Sequence, residues 1–402
     1  MLSNNKTSIR RTVVLFASLF AVQSTVPVLA QHLAAAPVHA GAAQKTPAGA
    51  TAPPPKSAAA DEYTKLMEAG RKAVSAKQLG DAEKNFQDAV KEAEKSFGKK
   101  DVRYAEALNS LGLVYGIGGK PVQAETLLKE ALAIKEQDKT VSIESLNSTL
   151  FDLANIYYNQ KRFSSAEPLY KRVVENAEKD PVLKKKETLI LQTMYLGDCL
   201  ASNKKPGEAE VAYKKTLAMM DEKIGADSKL AIPILNKLGD VMYEQKKYTD
   251  VIPIMEREAK LLEKSEGPSH VILALVLNNL ADVYLKVDNL PAAETNAKKS
   301  MQILQENLNP DDGAHIAVLD TMAEIYRAQK KYAEAEPLFK KAISIAKFSG
   351  EDGREHLVTA MKHYAELLRQ TDRNPEAQSV EDELKKIDSP AAETQKQLDS
   401  QK

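Results

Sequence analysis

The sequence predicts an all-α fold built of about eight helix–turn–helix repeats, on three observations. A phrase is written twice: "QKRFSSAEPLYKRVV" at residues 160–174 and "KKYAEAEPLFKKAI" at residues 330–343, with Pro168 and Pro337 in matching places. A small residue, a large one three later and a small one nine later again recur as Gly112, Tyr115, Ala124 and as Ala154, Tyr157, Ala166. The leading small residues fall at 70, 112, 154, 197, 239, 281, 323 and 365, a spacing of 42 broken once by 43. So steady a period is the signature of a repeat array.

In chain order, the first segment reads as a leader. Lys6, Arg10 and Arg11 precede the apolar run "TVVLFASLFAV" (residues 12–22), and "VLA" at 28–30 offers small residues for cleavage after Ala30. The run stops at Gln23, short of the roughly 20 apolar residues that a spanning helix needs. The expectation is an exported protein, periplasmic or secreted, whose signal is removed, with no membrane span afterwards. Residues 31–60 hold 12 Ala and 5 Pro, too little apolar bulk for a core, and read as a disordered linker. Residues 61–388 carry the repeats, and residues 389–402 ("PAAETQKQLDSQK" and its neighbour) read as a disordered tail.

Each period holds two helical stripes. In repeat 6, Leu277, Leu280, Ala281 and Tyr284 share one face, and after a polar turn Ala293, Ala297, Met301 and Leu304 form a second. The turns are basic and helix-breaking, as in "GGKP", "NKKP" and "QKKY", with lysines suited to the negative end of a helix dipole. Small residues on the first helix, set opposite alanines on the second, let the backbones approach. If the second helix of repeat 7 begins near Tyr332 or Ala333, Pro337 lies close to its first turn and costs at most one hydrogen bond. Pro253 occupies the same register in repeat 5.

The small–aromatic–Ala spacing, the paired helices and "YAEAEPLFKKAI" resemble tetratricopeptide (TPR) repeats, in the 42-residue variety found in kinesin light chains. The resemblance implies an α-solenoid, a right-handed superhelix whose first helices line a concave groove. Repeat 1 departs with Ala73 where a large residue is usual, and repeat 8 with Glu381 where repeat 7 has Phe339. Both fit capping repeats with one solvated face.

The chain has 56 basic and 56 acidic residues, but residues 1–60 hold five bases and no acid, so the rest carries 51 against 56, a formal −5. That balance gives no case for nucleic acid. No nucleophile elbow, phosphate loop or zinc spacing appears; "GIGGKP" is a repeat turn, and His356 and His363, two turns apart, read as helix-surface histidines. The reading is therefore non-enzymatic, with no cofactor and no metal. Cys199, the one cysteine, reads as a small buried residue.

Candidate binding residues come from the first helices. The positions one after and three before the small residue lie one turn apart on one face, which the resemblance places in the groove. They include Asn155, Asp198, Asp240, Asp282 and Glu324, with Asn236, Asn278 and Asp320 alongside. Amides there suit an extended peptide backbone, and acids suit a peptide or protein partner with basic residues. The same acids equally fit a solvated face paired with lysines of neighbouring repeats. The expected function is a protein–protein interaction scaffold, and the alternative is an adaptor or regulator of an envelope enzyme or secretion complex.

Overall fold

The computed structural model describes residues 58–387. The leader, most of the linker and the C-terminal tail read from the sequence lie outside the described residues. The described residues form sixteen α-helices and two short 3-10 turns, with no strand among them. The helices pair by repeat as α1 (Ala58–Ser75) with α2 (Leu79–Phe97), α3 (Val102–Ile117) with α4 (Pro121–Gln137), and α5 (Ile143–Asn159) with α6 (Phe163–Lys179). Then come α7 (Thr188–Ser202) with α8 (Pro206–Ile224), α9 (Ile232–Glu244) with α10 (Tyr248–Glu266), and α11 (Val271–Lys286) with α12 (Leu290–Asn307). The last pairs are α13 (Ala314–Ala328) with α14 (Tyr332–Phe348), and α15 (Gly350–Gln370) with α16 (Asn374–Ile387). A division inside α8 separates two compact units, described residues 58–216 and 217–387. Within each, consecutive helices pack in chain order.

The turn within each pair is the same device eight times. One residue takes the left-handed conformation, at Lys77, Gly119, Lys161, Lys204, Lys246, Asp288, Lys330 and Asp372, with φ between 58° and 73°. The next residue's N–H then donates back to the carbonyl five residues earlier, as in Lys120 to Tyr115 and Arg373 to Leu368, both 2.8 Å. This closes the first helix with the wide hydrogen bond of a left-handed C-terminal cap. The basic character of the turns has a second cause. The residue donating that bond is basic in repeats 2, 3, 4, 5, 7 and 8, and in repeats 2, 3, 4, 7 and 8 its side chain reaches a glutamate in the second helix of the preceding repeat. The pairs are Lys120–Glu83, Arg162–Glu125, Lys205–Glu167, Lys331–Glu294 and Arg373–Glu336, at 2.9, 2.6, 2.6, 4.0 and 2.7 Å.

The glycines at the small position of repeats 1, 2, 4 and 5 all face the residue sixteen later, and those of repeats 2 and 5 also meet the residue twelve later, Ala124 and Val251. A Cβ at Gly70 would stand 2.5 Å from Phe86, and one at Gly197 would stand 2.6 Å from Tyr213. The bulky partner is fully enclosed, with Phe86, Leu128, Tyr170 and Phe339 all at 0% exposure. The Ala at the nearer position, such as Ala124 or Ala335, is buried too and completes the close approach. Helix α14 begins at Tyr332, so Pro337 is its sixth residue, as Pro168 is of α6 and Pro253 of α10. The first ladder bond runs from Ala335 N–H to the Lys331 carbonyl at 3.1 Å. Proline therefore falls just past the free N–H groups and omits one bond.

Candidate functional site

The candidate residues sit on the first helices, whose neighbours of the same kind touch directly at α3 with α5, α11 with α13 and α13 with α15. In the first unit Asn155 on α5 is 6% exposed and Asp198 on α7 is 8% exposed. The Tyr170 hydroxyl donates to Asn155 Oδ1 at 2.7 Å, which leaves Asn155 Nδ2 buried with no hydrogen-bond partner. Asp198 accepts from the hydroxyls of Tyr158 and Tyr213, each at 2.8 Å. Burial, with Asp198 adding to it, pushes the Tyr158 phenol well above its ordinary range, so it stays a donor. A cluster of Phe151, Tyr158, Tyr170 and Tyr195 rings fixes these hydroxyls in place, Tyr170 and Tyr195 stacking at 5.7 Å. On α3, Asn109 Nδ2 donates to Asp152 at 2.9 Å, while Asn109 Oδ1 is buried without a partner.

The second unit repeats the arrangement with different partners. The Tyr243 hydroxyl donates to Asp282 at 2.6 Å, and Lys286 stands 3.5 Å away. Tyr158 and Tyr243 hold the same register, each reaching an acid one repeat on. Glu324 takes both arms of Arg327, at 2.7 Å each, and burial is outweighed by that fork, so its carboxyl titrates below the usual range. Asp320 meets His363 Nδ1 at 2.9 Å. Burial would lower the imidazole, but the hydrogen bond and charge of Asp320 dominate and raise His363 to about 9. His363 is therefore no surface histidine: its side chain is 18% exposed and it ties repeat 8 to repeat 7. Asn236 and Asp240 are half-buried. Asn278 is 7% exposed, and its Oδ1 is buried with no partner.

Sequence reasoning marked these positions but missed the tyrosines, Arg327 and His363 that hold the acids. For Tyr158 and Tyr243 the signal was available, since both lie four residues after the small residue. Cys199 is fully buried, and burial pushes its thiol far up, which keeps it unreactive. Among the described residues no group of His, Cys, Asp and Glu is arranged to hold a metal, and no helix is long and apolar enough to cross a membrane.

The face of the first helices carries polar atoms with unmet hydrogen-bonding capacity. It offers buried amide atoms of both polarities, a donor at Asn155 and acceptors at Asn109 and Asn278, held by rigid helices. No curated protein matches this sequence. Solved structures similar to it include BtubC (BKLC) from P. vanneervenii, 18% identical over 57% of this chain and 92% of that one, with a TM-score of 0.42. A putative kinesin light chain from Podosopora anserina with nearly identical TPR-like repeats is 16% identical over 50% of this chain and 95% of that one, TM-score 0.42. The apo form of RapI is 14% identical over 71% and 98%, TM-score 0.41. Likenesses at this level add nothing about function. The tetratricopeptide repeat model matches residues 71–137, 232–306, 272–347 and 315–387, and a second model of that repeat matches 148–179. With its paired helices, small-residue register and left-handed turns, the chain belongs to the tetratricopeptide repeat family, with repeats of the kinesin-light-chain kind.

Proposed function

We propose that the chain is an exported, non-enzymatic scaffold that binds an extended peptide or protein segment along the face of its first helices. The protein-interaction role is that of the repeat family, and the observation that carries the site is the set of buried amides with unmet hydrogen-bonding atoms at Asn109, Asn155 and Asn278. A buried polar atom without a partner costs about 1–3 kcal/mol. The fold does not require that cost, because the registers of Asn278 and Asn155 hold Met194 and Leu113 in other repeats. A peptide backbone supplies both a donor and an acceptor, and it would satisfy these solvent-closed atoms once the amide side chains turn outward on binding. Basic side chains on the ligand suit the acids at Asp198, Asp240, Asp282, Asp320 and Glu324. Because Asp282, Asp320 and Glu324 already have partners within the protein, each such contact is worth no more than about 1 kcal/mol and weakens with salt.

The test uses Asn155→Leu and Asn278→Met in the full chain, with binding to a random peptide library read beside urea stability. Asn278→Met should be as stable as the parent or more so, Asn155→Leu should cost about 1–3 kcal/mol because it strands the buried Tyr170 hydroxyl, and each should lose about tenfold in affinity, the worth of one hydrogen bond in a dry site. Unchanged peptide binding in both would remove the face from consideration. Export rests on Arg10, Arg11, the short apolar run and "VLA". The mass of protein collected outside the cytoplasm should correspond to a chain beginning at Gln31, and retention of residues 1–30 would refute cleavage.

A further inference from the structure

The turns inside the four helix pairs of the first unit form one edge. Lys120, Arg162 and Lys205 reach back to Glu83, Glu125 and Glu167 in turn, at 2.9, 2.6 and 2.6 Å. Those glutamates are the fifth residues of α2, α4 and α6, so each turn lies against the start of the preceding repeat's second helix. These bases are engaged within the fold. The left-handed residue of the turn is Lys77 in repeat 1, Lys161 in repeat 3 and Lys204 in repeat 4, with φ of 60°, 58° and 60°. All three are exposed, and none joins an ion pair among the described residues. Glycine or asparagine takes that conformation at lower cost, and Gly119 does so in repeat 2. Repeat 2 instead brings Val122 to the edge, 74% exposed in the first turn of α4, where the neighbouring repeats have Gly80, Ser164 and Gly207.

A lysine at this place also suits the helix dipole, but the second unit shows that the fold does not require it. From the left-handed residue to the fourth after it, the turns of the first unit (77–81, 119–123, 161–165 and 204–208) hold six bases and two acids, Asp81 and Glu208. The rest of residues 58–216 holds 20 bases and 22 acids. The matching turns of the second unit (246–250, 288–292, 330–334 and 372–376) hold five bases and five acids, with Asp288 and Asp372 at the left-handed position. The excess therefore belongs to the first unit's edge and not to the turn as such. We propose that this edge docks on an anionic lipid surface, with Lys77, Lys161 and Lys204 meeting headgroup phosphates and Val122 entering the interface between them. Lysines with no partner in the protein bring their whole charge to the surface, where each is worth about fivefold in binding. An acidic peptide would answer the lysines but leave Val122 in water, whereas a bilayer answers both. The edge is separate from the first-helix face and does not rest on peptide binding there.

The experiment uses the full chain and sedimentation with two kinds of vesicle, phosphatidylcholine alone and an equal mixture with phosphatidylglycerol. A triple variant, Lys77→Gln with Lys161→Gln and Lys204→Gln, keeps every turn and removes the unpaired charges. Its control is Lys246→Gln with Lys330→Gln, the same position in the second unit. Every protein keeps the same residues 1–60, so binding through that segment is common to all and produces no difference. The parent should bind the mixed vesicles and leave the neutral ones. The triple variant should bind the mixed vesicles about a hundredfold more weakly, and the control pair as the parent does. Val122→Ser should weaken binding about fivefold, part of the worth of burying a valine. Equal binding by parent and triple variant, or an equal loss in the control pair, overturns the docking edge. So does binding of polyglutamate by the parent without binding to mixed vesicles, which would mark an acidic protein partner instead.

Discussion

Repeats 5 and 7 lie in the same unit on the same backbone frame, yet spend their side chains differently. Each has a second helix starting with Tyr, a proline at its sixth position and a left-handed lysine in the turn. Repeat 7 fills the frame with Ala323 against Phe339, both fully buried, and anchors itself to repeat 8 through Glu336–Arg373 and Asp320–His363. Repeat 5 has Gly239 facing the thinner Met255, whose nearest atom would be 3.6 Å from an added Cβ. Where repeat 7 has Glu336 and Arg373, repeat 5 and the next turn have Ile252 and Asn289, so glutamate and base are lost together. Where repeat 7 has Ala342, repeat 5 has the buried Glu258. A repeat array tolerates such a weak module because each repeat is held by its neighbours. The teaching is that departures from the repeat pattern mark where stability has been exchanged for something else.

The largest expected effect is at Glu258. Its carboxyl is raised in the folded protein from about 4.5 to about 8, so the folded state holds the proton more tightly than the unfolded chain. Stability linked to it is intact below pH 4.5 and is lost as pH rises through 8. Glu258→Gln removes that loss and should stabilise the protein by up to about 4 kcal/mol at pH 9, with little change at pH 4.5. Urea melts of parent and variant at the two pH values measure it. An equal effect at both would mean the carboxyl is ionised throughout and that repeat 5 hides no acid.

The matching measurement in repeat 7 has the opposite sign. Glu336 is held down to about 2, by the hydrogen bond from Arg373 Nη1 first and then by Lys340 and the Tyr364 hydroxyl. Its side chain is 23% exposed, so the gain is discounted for solvent to about 1–2 kcal/mol. That stability is present above pH 4.5 and fades as pH falls toward 2. Glu336→Gln should therefore cost about 1–2 kcal/mol at pH 7 and almost nothing at pH 2.5. A cost that persists in acid would mean that shape, not charge, is what Glu336 supplies.

The frame was legible in the sequence because it repeats: the period, the helix starts at Tyr248 and Tyr332 and the prolines are all local signals. That the small residue also meets the side chain sixteen positions on, beside the one twelve on, was not, because helix crossing rather than sequence distance decides which side chains meet. The face bearing Asn155, Asp198, Asn236, Asp240, Asn278, Asp282, Asp320 and Glu324 could be drawn from the register alone. The register also placed Tyr158 and Tyr243, and Arg327 lies three residues after Glu324 on one helix, but that the tyrosines and His363 reach acids of a neighbouring repeat depends on the rise from one repeat to the next. Glu258 was hidden for a different reason. A glutamate among the many charges of a second helix looks like a solvated one until its burial is known.

The smallest effect should not distinguish the two repeats at all. Lys246 and Lys330 hold φ of 60° and 62°, a conformation that costs an L-residue with a side chain about 1–2 kcal/mol and glycine almost nothing. Both side chains are exposed, and Gly119 already serves at this register in repeat 2. Against the relief stands the greater freedom glycine gives the unfolded chain, roughly 0.5–1 kcal/mol. Lys246→Gly and Lys330→Gly should therefore each stabilise by about 0.5 kcal/mol, by the same amount and at every pH. Urea melts resolve this best when the two variants are combined and compared with the sum of the singles. Equal, additive gains would show that the turns of repeats 5 and 7 carry the same strain and that the difference between the repeats lies wholly in side chains such as Glu258 and Glu336. A larger gain at Lys246 would instead put part of that difference in the backbone of repeat 5.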